Sequence, residues 1–368
     1  MRFVLSGGGT AGHINPALAL AEVLQSRGHE VFFAGTPQGV EARLVPQAGL
    51  PFQAFEAHGF NRHHPTTLVT SGITVLKSTK IAKRWLEDIK PDAVVGFGGY
   101  VSVPVTSAAK QLHIPVVLHE QNSVMGLANR EISKFASRVC LTYACAGAGI
   151  DASKVTVTGN PVRKAIMEAT SQEGRTLLSL PENAKVLLVF GGSLGARHIN
   201  TALCQMKDML LAIDNLYIIH ITGPKEYDTV VADLSLNDEE QKRWQVMGYQ
   251  NRMAETLAAS DLIISRAGAS SLAEIAARGI PALLVPFPYA TADHQTVNAK
   301  TLVEAGCALM IADDQVETPR FRELVHHFVT DDAQLNAMRE AARDVSSVNA
   351  AELLADVVVD AAREPYFG

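Results

Sequence analysis

Residues 2–20, RFVLSGGGTAGHINPALAL, and residues 185–203, KVLLVFGGSLGARHINTAL, decide the fold. Each reads as a short apolar strand, a glycine turn and a helical segment with a His-Ile-Asn. The shared string is short, so it marks one supersecondary unit used twice. Outward from these stretches, apolar runs alternate with helical periods. In the first half the runs are RFVLS, HEVFFAGT, DAVVGFG, IPVVLHE, RVCLTY and KVTVTGNP. In the second they are KVLLVFGGS, LYIIHITG, QVMGY, DLIISRAG, PALLVPFP and ALMIAD. Such alternation predicts βαβ units and parallel sheets with helices on both faces. Ligands of such sheets bind at the carboxyl ends of the strands, so function is sought in strand-to-helix loops.

A chain of 368 residues exceeds one ordinary core and predicts two domains. The boundary is placed at TGNPVRKAIMEATSQEG (158–174), giving domains 1–161 and 162–345, with a C-terminal helix, 346–368, packing back on the first. Hydrophobic residues at 47%, charged residues at 19% and a net charge of −6 describe a folded, mildly acidic protein and argue against nucleic-acid binding. Cys140, Cys145, Cys204 and Cys307 form no C-x-x-C pair and no close Cys/His quartet, which argues against structural zinc and a disulfide framework. MRFVLSGGG is too short an apolar run for a signal-peptide core, and no stretch reaches the ~18 apolar residues of a membrane span. A cytoplasmic protein is expected.

Gly7, Gly9 and Gly12 spell G-x-G-x-x-G, the dinucleotide fingerprint. That site needs an acidic residue at the end of the second strand to hold the ribose. HEVFFAGT ends in Ala34, Gly35 and Thr36, Glu30 precedes the strand and Glu41 lies well beyond it. The NAD reading fails its own check. What survives is a helix start suited to an anion, although the same glycines also suit tight strand-to-helix packing. His13 follows directly, as a general base or as a helix-start residue bonding the backbone.

GFGGYVSVP (96–104) reads as a second glycine cradle or a tight turn. HEQN (119–122) sets four polar residues after an apolar strand and reads as ligand-facing. GGSLGAR (191–197) offers Ser193 and backbone amides at a helix start, though Gly-Gly-Ser is equally a good cap. In SRAGASSLAE (265–274), small residues admit a diphosphate to a helix N-terminus. Glu274 there reads either as a ribose ligand or as the partner of Ser271 in a capping box.

Together GGGTAGH with NPALALA, GFGGYVSVP, HEQN, TGNPVR, GGSLGAR, SRAGASSLAE and DHQTVNA resemble the MurG family, over a span from Gly7 to Ala299. The resemblance implies two Rossmann-like parallel-sheet domains facing a central cleft, the GT-B type. It implies an inverting transfer of N-acetylglucosamine from UDP-N-acetylglucosamine to lipid-linked N-acetylmuramyl-pentapeptide. No tightly bound cofactor and no metal on an Asp-x-Asp motif is implied. UDP-N-acetylglucosamine would be bound by Thr10, Ala11, Gly12, Asn122, Arg163, Ser193, Gln250, Ala269, Ser270, Ser271, Leu272, Ala273, Glu274 and Gln295. In that set Glu274 would take the ribose and Gln295 the sugar. Gln250 stands where the family commonly has Ile. Gly8, Gly9, Gly98, Gly99 and Tyr100 would hold the acceptor, and His13 would be the leading general-base candidate.

A lipid-linked acceptor requires access to a membrane surface. TTLVTSGITVLKSTKIAKRWLEDIK (66–90) combines Ile73, Leu76, Ile81 and Trp85 with Lys77, Lys80, Lys83 and Arg84. It reads as an amphipathic segment with a basic face for anionic lipid, or as a packed helix with a solvated lysine face. Other cell-wall synthesis proteins are candidate partners, and the oligomeric state is left open. A UDP-N-acetylglucosamine 2-epimerase and a non-catalytic nucleotide-sugar-binding regulator are the rival readings. Neither explains the glycine turns of the first half.

Overall fold

The computed structural model describes residues 1–57, 66–192, 195–345 and 349–364, with side chains described outside 66–73 and 343–345. Contacts divide the chain into two compact units, Met1–Arg163 with Ser347–Gly368, and Lys164–Ser346.

Strands of the first unit are β1 (Arg2–Ser6), β2 (Glu30–Gly35), β3 (Phe52–Ala54), β4 (Ala93–Gly96), β5 (Val116–Glu120), β6 (Arg138–Leu141) and β7 (Val155–Val157). They form one sheet in the order β3-β2-β1-β4-β5-β6-β7, and every pair is parallel. Side chains alternate across the sheet. Phe3 and Leu5 enter a core with the Ala11–Ser26 helix, while Val4 and Val94 enter the opposite one. The first of these cores also contains Leu354 and Val358 of the helix Ala350–Arg363. Arg27 further ties that helix to the first unit through Glu352 and Asp356.

The second unit holds β8 (Lys185–Phe190), β9 (Leu216–Ile221), β10 (Trp244–Met247), β11 (Leu262–Ser265), β12 (Ala282–Leu284) and β13 (Ala308–Met310). Their order is β10-β9-β8-β11-β12-β13, again all parallel. Both sheets are thus wound outward in two directions from a central pair, and each apolar run named above supplies a strand. The strand not anticipated is β3. Its three residues follow Pro51 and carry too little pattern to be seen, and it gains order by pairing Phe52 with Phe33 at the sheet edge. Among the described residues no helix is long and apolar enough to cross a membrane.

Candidate functional site

In a doubly wound sheet the loops of the two central strands diverge to opposite faces and leave space where the order reverses. In the first unit those loops follow β1 and β4. They are bonded to each other: Phe97 N–H and Ser102 Oγ donate to the Ser6 carbonyl at 2.8 and 2.9 Å. Ser102 Oγ also lies 2.7 Å from the Gly98 carbonyl oxygen. Gly98 and Gly99 have φ of +96° and +81°, a region costly for residues with a Cβ. A Cβ on Gly99 would stand 2.4 Å from the Gly8 carbonyl oxygen, so only glycine permits the two turns to touch.

His13 is the third residue of the helix Ala11–Ser26. Its Nδ1 lies 2.8 Å from the Gly8 carbonyl oxygen. A carbonyl only accepts, so this contact assigns the proton to Nδ1 and the lone pair to Nε2. Nε2 faces the second turn, 3.2 Å from where a Cβ on Gly98 would be. No side chain caps the helix at Thr10, and Thr10 and Gly9 are exposed. Tyr100 is 45% exposed.

Glu41 lies well beyond the second strand in sequence. The fold returns it to the first glycine turn, fully buried, with Oε2 accepting the Gly9 N–H at 3.3 Å. Oε1 accepts Thr36 N–H at 3.0 Å and Thr36 Oγ at 2.6 Å. This corrects the expected acceptor cradle at Gly8 and Gly9 in one respect: the anion held by the Gly9 amide is the chain's own.

The reading of HEQN as ligand-facing is also corrected. His119 and Glu120 belong to β5, and they and Gln121 are buried. His119 Nε2 donates to the Gly159 carbonyl at 3.0 Å, and its Nδ1 accepts from Gln121 at 3.1 Å. Burial lowers its pKa to about 4. Glu120 accepts the Asn122 N–H at 3.0 Å, the Gly126 N–H at 3.1 Å and Asn129 Nδ2 at 2.8 Å. It fixes the loop that carries the half-buried Asn122, whose Nδ2 also donates to it at 3.2 Å.

In the second unit the order reverses between β8 and β11. The helix Ala269–Arg278 starts behind Gly268, an extended N-cap without a side-chain bond. Ser271 is therefore inside the helix, and the capping-box reading of Glu274 falls. Ala269 and Leu272 are buried, while Ser270, Ser271, Ala273 and Glu274 are half-buried. Gln295 Oε1 accepts the N–H groups of Ala267 and Phe287 at 3.1 and 3.0 Å. It thus joins the loops after β11 and β12 and leaves its amide nitrogen as the group to offer a ligand. Gln250 likewise uses Oε1 internally, on the Arg252 N–H at 2.9 Å.

Sequence reasoning missed a buried group that joins three loops. Arg266, after β11, pairs with Asp313, and its Nη1 lies 3.2 Å from the carbonyl oxygens of Val285 and Pro286. Asp313 Oδ2 in turn lies 2.7 Å from His198 Nδ1, on the helix that follows β8. Arg in SRAG was the available signal, but its partners are remote in sequence.

Arg163 groups with the first unit, where its Nε lies 3.2 Å from Glu22 Oε1. The division after Arg163 differs from the expected one after Pro161. Ser193 lies outside the described residues, as does the side chain of Ile73. On the helix Thr66–Ile89, Leu76 and Ile81 are 73% and 56% exposed, beside exposed Lys77, Lys80 and Arg84 and half-buried Lys83. Trp85 is a correction: it packs inward against Phe55, ring centroids 5.4 Å apart, because its position falls on the core side of the helix.

This pair of parallel-sheet units, each with glycine-lined loops at its switch point, defines a class. Residues 3–141 match the glycosyltransferase family 28 N-terminal domain and residues 186–356 its C-terminal domain. A relative from Halothermothrix orenii, named UDP-N-acetylglucosamine--N-acetylmuramyl-(pentapeptide) pyrophosphoryl-undecaprenol N-acetylglucosamine transferase, is 38% identical, covering 99% of this chain and 100% of its own. The crystal structure of Acinetobacter baumannii MurG superposes with a TM-score of 0.75 at 31% identity, covering 98% of this chain and 99% of that one. The chain belongs to the MurG family of glycosyltransferases. A UDP-GlcNAc 2-epimerase from Neisseria meningitidis, at TM-score 0.68 and 17% identity over 98% of this chain and 100% of its own, shares the fold alone.

Proposed function

We propose that this chain is an inverting hexosyltransferase that moves N-acetylglucosamine from UDP-N-acetylglucosamine to undecaprenyl-pyrophosphoryl-N-acetylmuramyl-pentapeptide, the lipid I to lipid II step of peptidoglycan synthesis. Its chemistry is carried by one observation: an imidazole with its proton fixed on Nδ1 and its lone pair on Nε2, at the joined glycine turns. Nε2 takes the proton of the acceptor hydroxyl as that oxygen bonds the anomeric carbon and the bond from this carbon to UDP breaks. Such a base is worth ~10²–10⁴ in rate.

The departing diphosphate needs positive potential. The N-terminus of the Ala269–Arg278 helix, with no side chain in its cap, supplies backbone N–H groups for it. Ala269, Ser270, Ser271 and Ala273 line this approach, Glu274 accepts the ribose hydroxyls, and Ser193 is assigned a UDP contact from the family resemblance alone. Gln250 takes the uracil through its backbone, since its side chain is engaged by the Arg252 N–H and Met247 Sδ, and Gln295 takes the sugar through its amide nitrogen. Thr10, Ala11, Gly12 and Asn122 line the sugar, and Arg163 adds positive charge that it shares with Glu22. Gly98, Gly99 and Tyr100 hold the acceptor diphosphate, with Gly8 and Gly9 shaping the turn. UDP-N-acetylglucosamine is a substrate, and no tightly bound cofactor takes part.

Attachment is peripheral, at the cytoplasmic face of the cell membrane. The exposed set Leu76, Lys77, Lys80, Ile81 and Arg84 follows one helical face and suits an anionic lipid surface. An acceptor-dependent transfer assay tests the function: UDP release is expected only with the lipid-linked muramyl-pentapeptide. Epimerisation without acceptor, or tight nucleotide-sugar binding without turnover, would replace it with one of the rival readings.

A further inference from the structure

We infer that Glu41 is a positioning residue for the His13 base and acts on it through the Gly8–Gly9 peptide group. The carbonyl of Gly8 and the N–H of Gly9 belong to the same peptide unit. His13 Nδ1 donates to that carbonyl at 2.8 Å, and Glu41 Oε2 accepts from that N–H at 3.3 Å. A continuous series results: carboxylate, peptide, imidazole.

Each link strengthens the next. An N–H that donates to a carboxylate polarises its peptide, so the carbonyl oxygen becomes a better acceptor for Nδ1–H. A firmer Nδ1–H bond holds the tautomer and ring orientation that keep the Nε2 lone pair toward the reaction. This is the logic of a carboxylate that orients a histidine directly, with one peptide inserted.

The surroundings are built for this carboxylate. Thr36 holds its other oxygen through a backbone N–H and a hydroxyl, at 3.0 and 2.6 Å. Added Cβ atoms on Gly8, Gly35 and Gly39 would fall 2.4, 2.5 and 2.2 Å from Glu41 atoms, so glycine at three separate positions makes room for it. Among the described residues no Lys or Arg pairs with it, although it is fully buried. Burying a carboxylate among neutral donors is costly, and the bonds it accepts from Gly9 and Thr36 offset that cost.

The inference rests on His13 being the base, and its test separates the two. In the full-length enzyme, Glu41→Gln keeps the side-chain shape, but its amide cannot accept at both oxygen positions. We expect kcat to fall about 10- to 100-fold, as for other groups that orient a working histidine, with KM for UDP-N-acetylglucosamine changed less than about twofold. On a His13→Ala background the same substitution should cost nothing further, the signature of two residues acting as one unit. An equal cost on both backgrounds would make Glu41 merely structural and overturn the inference. Nitrogen NMR of labelled histidine supplies a readout independent of turnover. His13, assigned by its loss in His13→Ala, should show the Nδ1–H tautomer and lose that preference in Glu41→Gln. An unchanged tautomer overturns the inference even if kcat falls. If Glu41→Gln does not fold, Thr36→Val, which releases only the hydroxyl bond, should give a smaller loss that also vanishes on the His13→Ala background. Full turnover in His13→Ala would sink the base assignment alone and leave the NMR result to decide the relay.

Discussion

His13 Nδ1 and the carbonyl oxygen of Gly8 stand 2.8 Å apart, and this contact divides the labour of the imidazole. One nitrogen anchors the ring to the glycine turn from which its own helix begins, and the other keeps its lone pair. The turn and the helix are separated by few residues, so the anchor is local in sequence.

Replacing His13 by Ala is therefore expected to lower turnover by ~10²–10⁴. UDP affinity should be retained, because the proposed uridine contacts lie on the second unit. Steady-state transfer rates together with calorimetric UDP binding check both halves. Unchanged turnover removes His13 from the chemistry.

Glu274→Ala is expected to weaken UDP binding. The loss of hydrogen bonds to a charged group is worth ~1.5–3 kcal/mol, or roughly 10- to 100-fold in Kd. Since the helix begins at Ala269 and Ser271 is no cap, the effect cannot be assigned to a broken capping box. UDP titration of the variant reads it, and wild-type affinity would exclude Glu274 from the ribose site.

Stability should fall on acidification below neutral pH. His119 and His220, one in each unit, are held neutral by burial, with pKa values lowered to about 4 from 6.5. Between those values the unfolded chain binds more protons than the folded one, so unfolding free energy rises with pH across the window. Stability is fully present above the unfolded value and is lost as pH falls through ~6.5 toward ~4, by at most ~3 kcal/mol for each histidine. Thermal unfolding at a series of pH values measures the slope. A curve flat between pH 6.5 and 4 would contradict neutral burial of both rings.

Attachment to anionic vesicles should weaken by ~1 kcal/mol for each of Lys77, Lys80 and Arg84 neutralised. Flotation with vesicles of graded anionic content measures it, and binding insensitive to that content would leave the helix face without a lipid role. Trp85→Ala should behave differently, lowering thermal stability by ~3 kcal/mol or less rather than releasing the protein, because the ring packs on Phe55.

Much of the architecture is legible in the order of apolar runs, since a strand buried on both faces of a parallel sheet must be continuously apolar and its return helix amphipathic. The short edge strand at Phe52 escapes because it carries almost no pattern. The site is legible unevenly. Glycine turns announce themselves, and His13 is singled out because it adjoins one. The polar string HEQN misleads, because a strand end says nothing of which neighbours will close over it: His119 turns to Gly159, 40 residues away, and becomes an internal brace.

What sequence alone determined is therefore the class of fold, the position of the loops that can hold a ligand and the family to which their motifs belong. These follow from periodicity and from residues close in the chain. Tertiary structure alone decided which polar groups serve the loops rather than the ligand. Glu41 reaches Gly9 across 32 residues, and Asp313 joins Arg266 and His198 across 47 and 115. A buried polar atom must find a partner wherever packing brings one within about 3 Å. That choice is made by the assembled sheet and its loops, which no local pattern encodes.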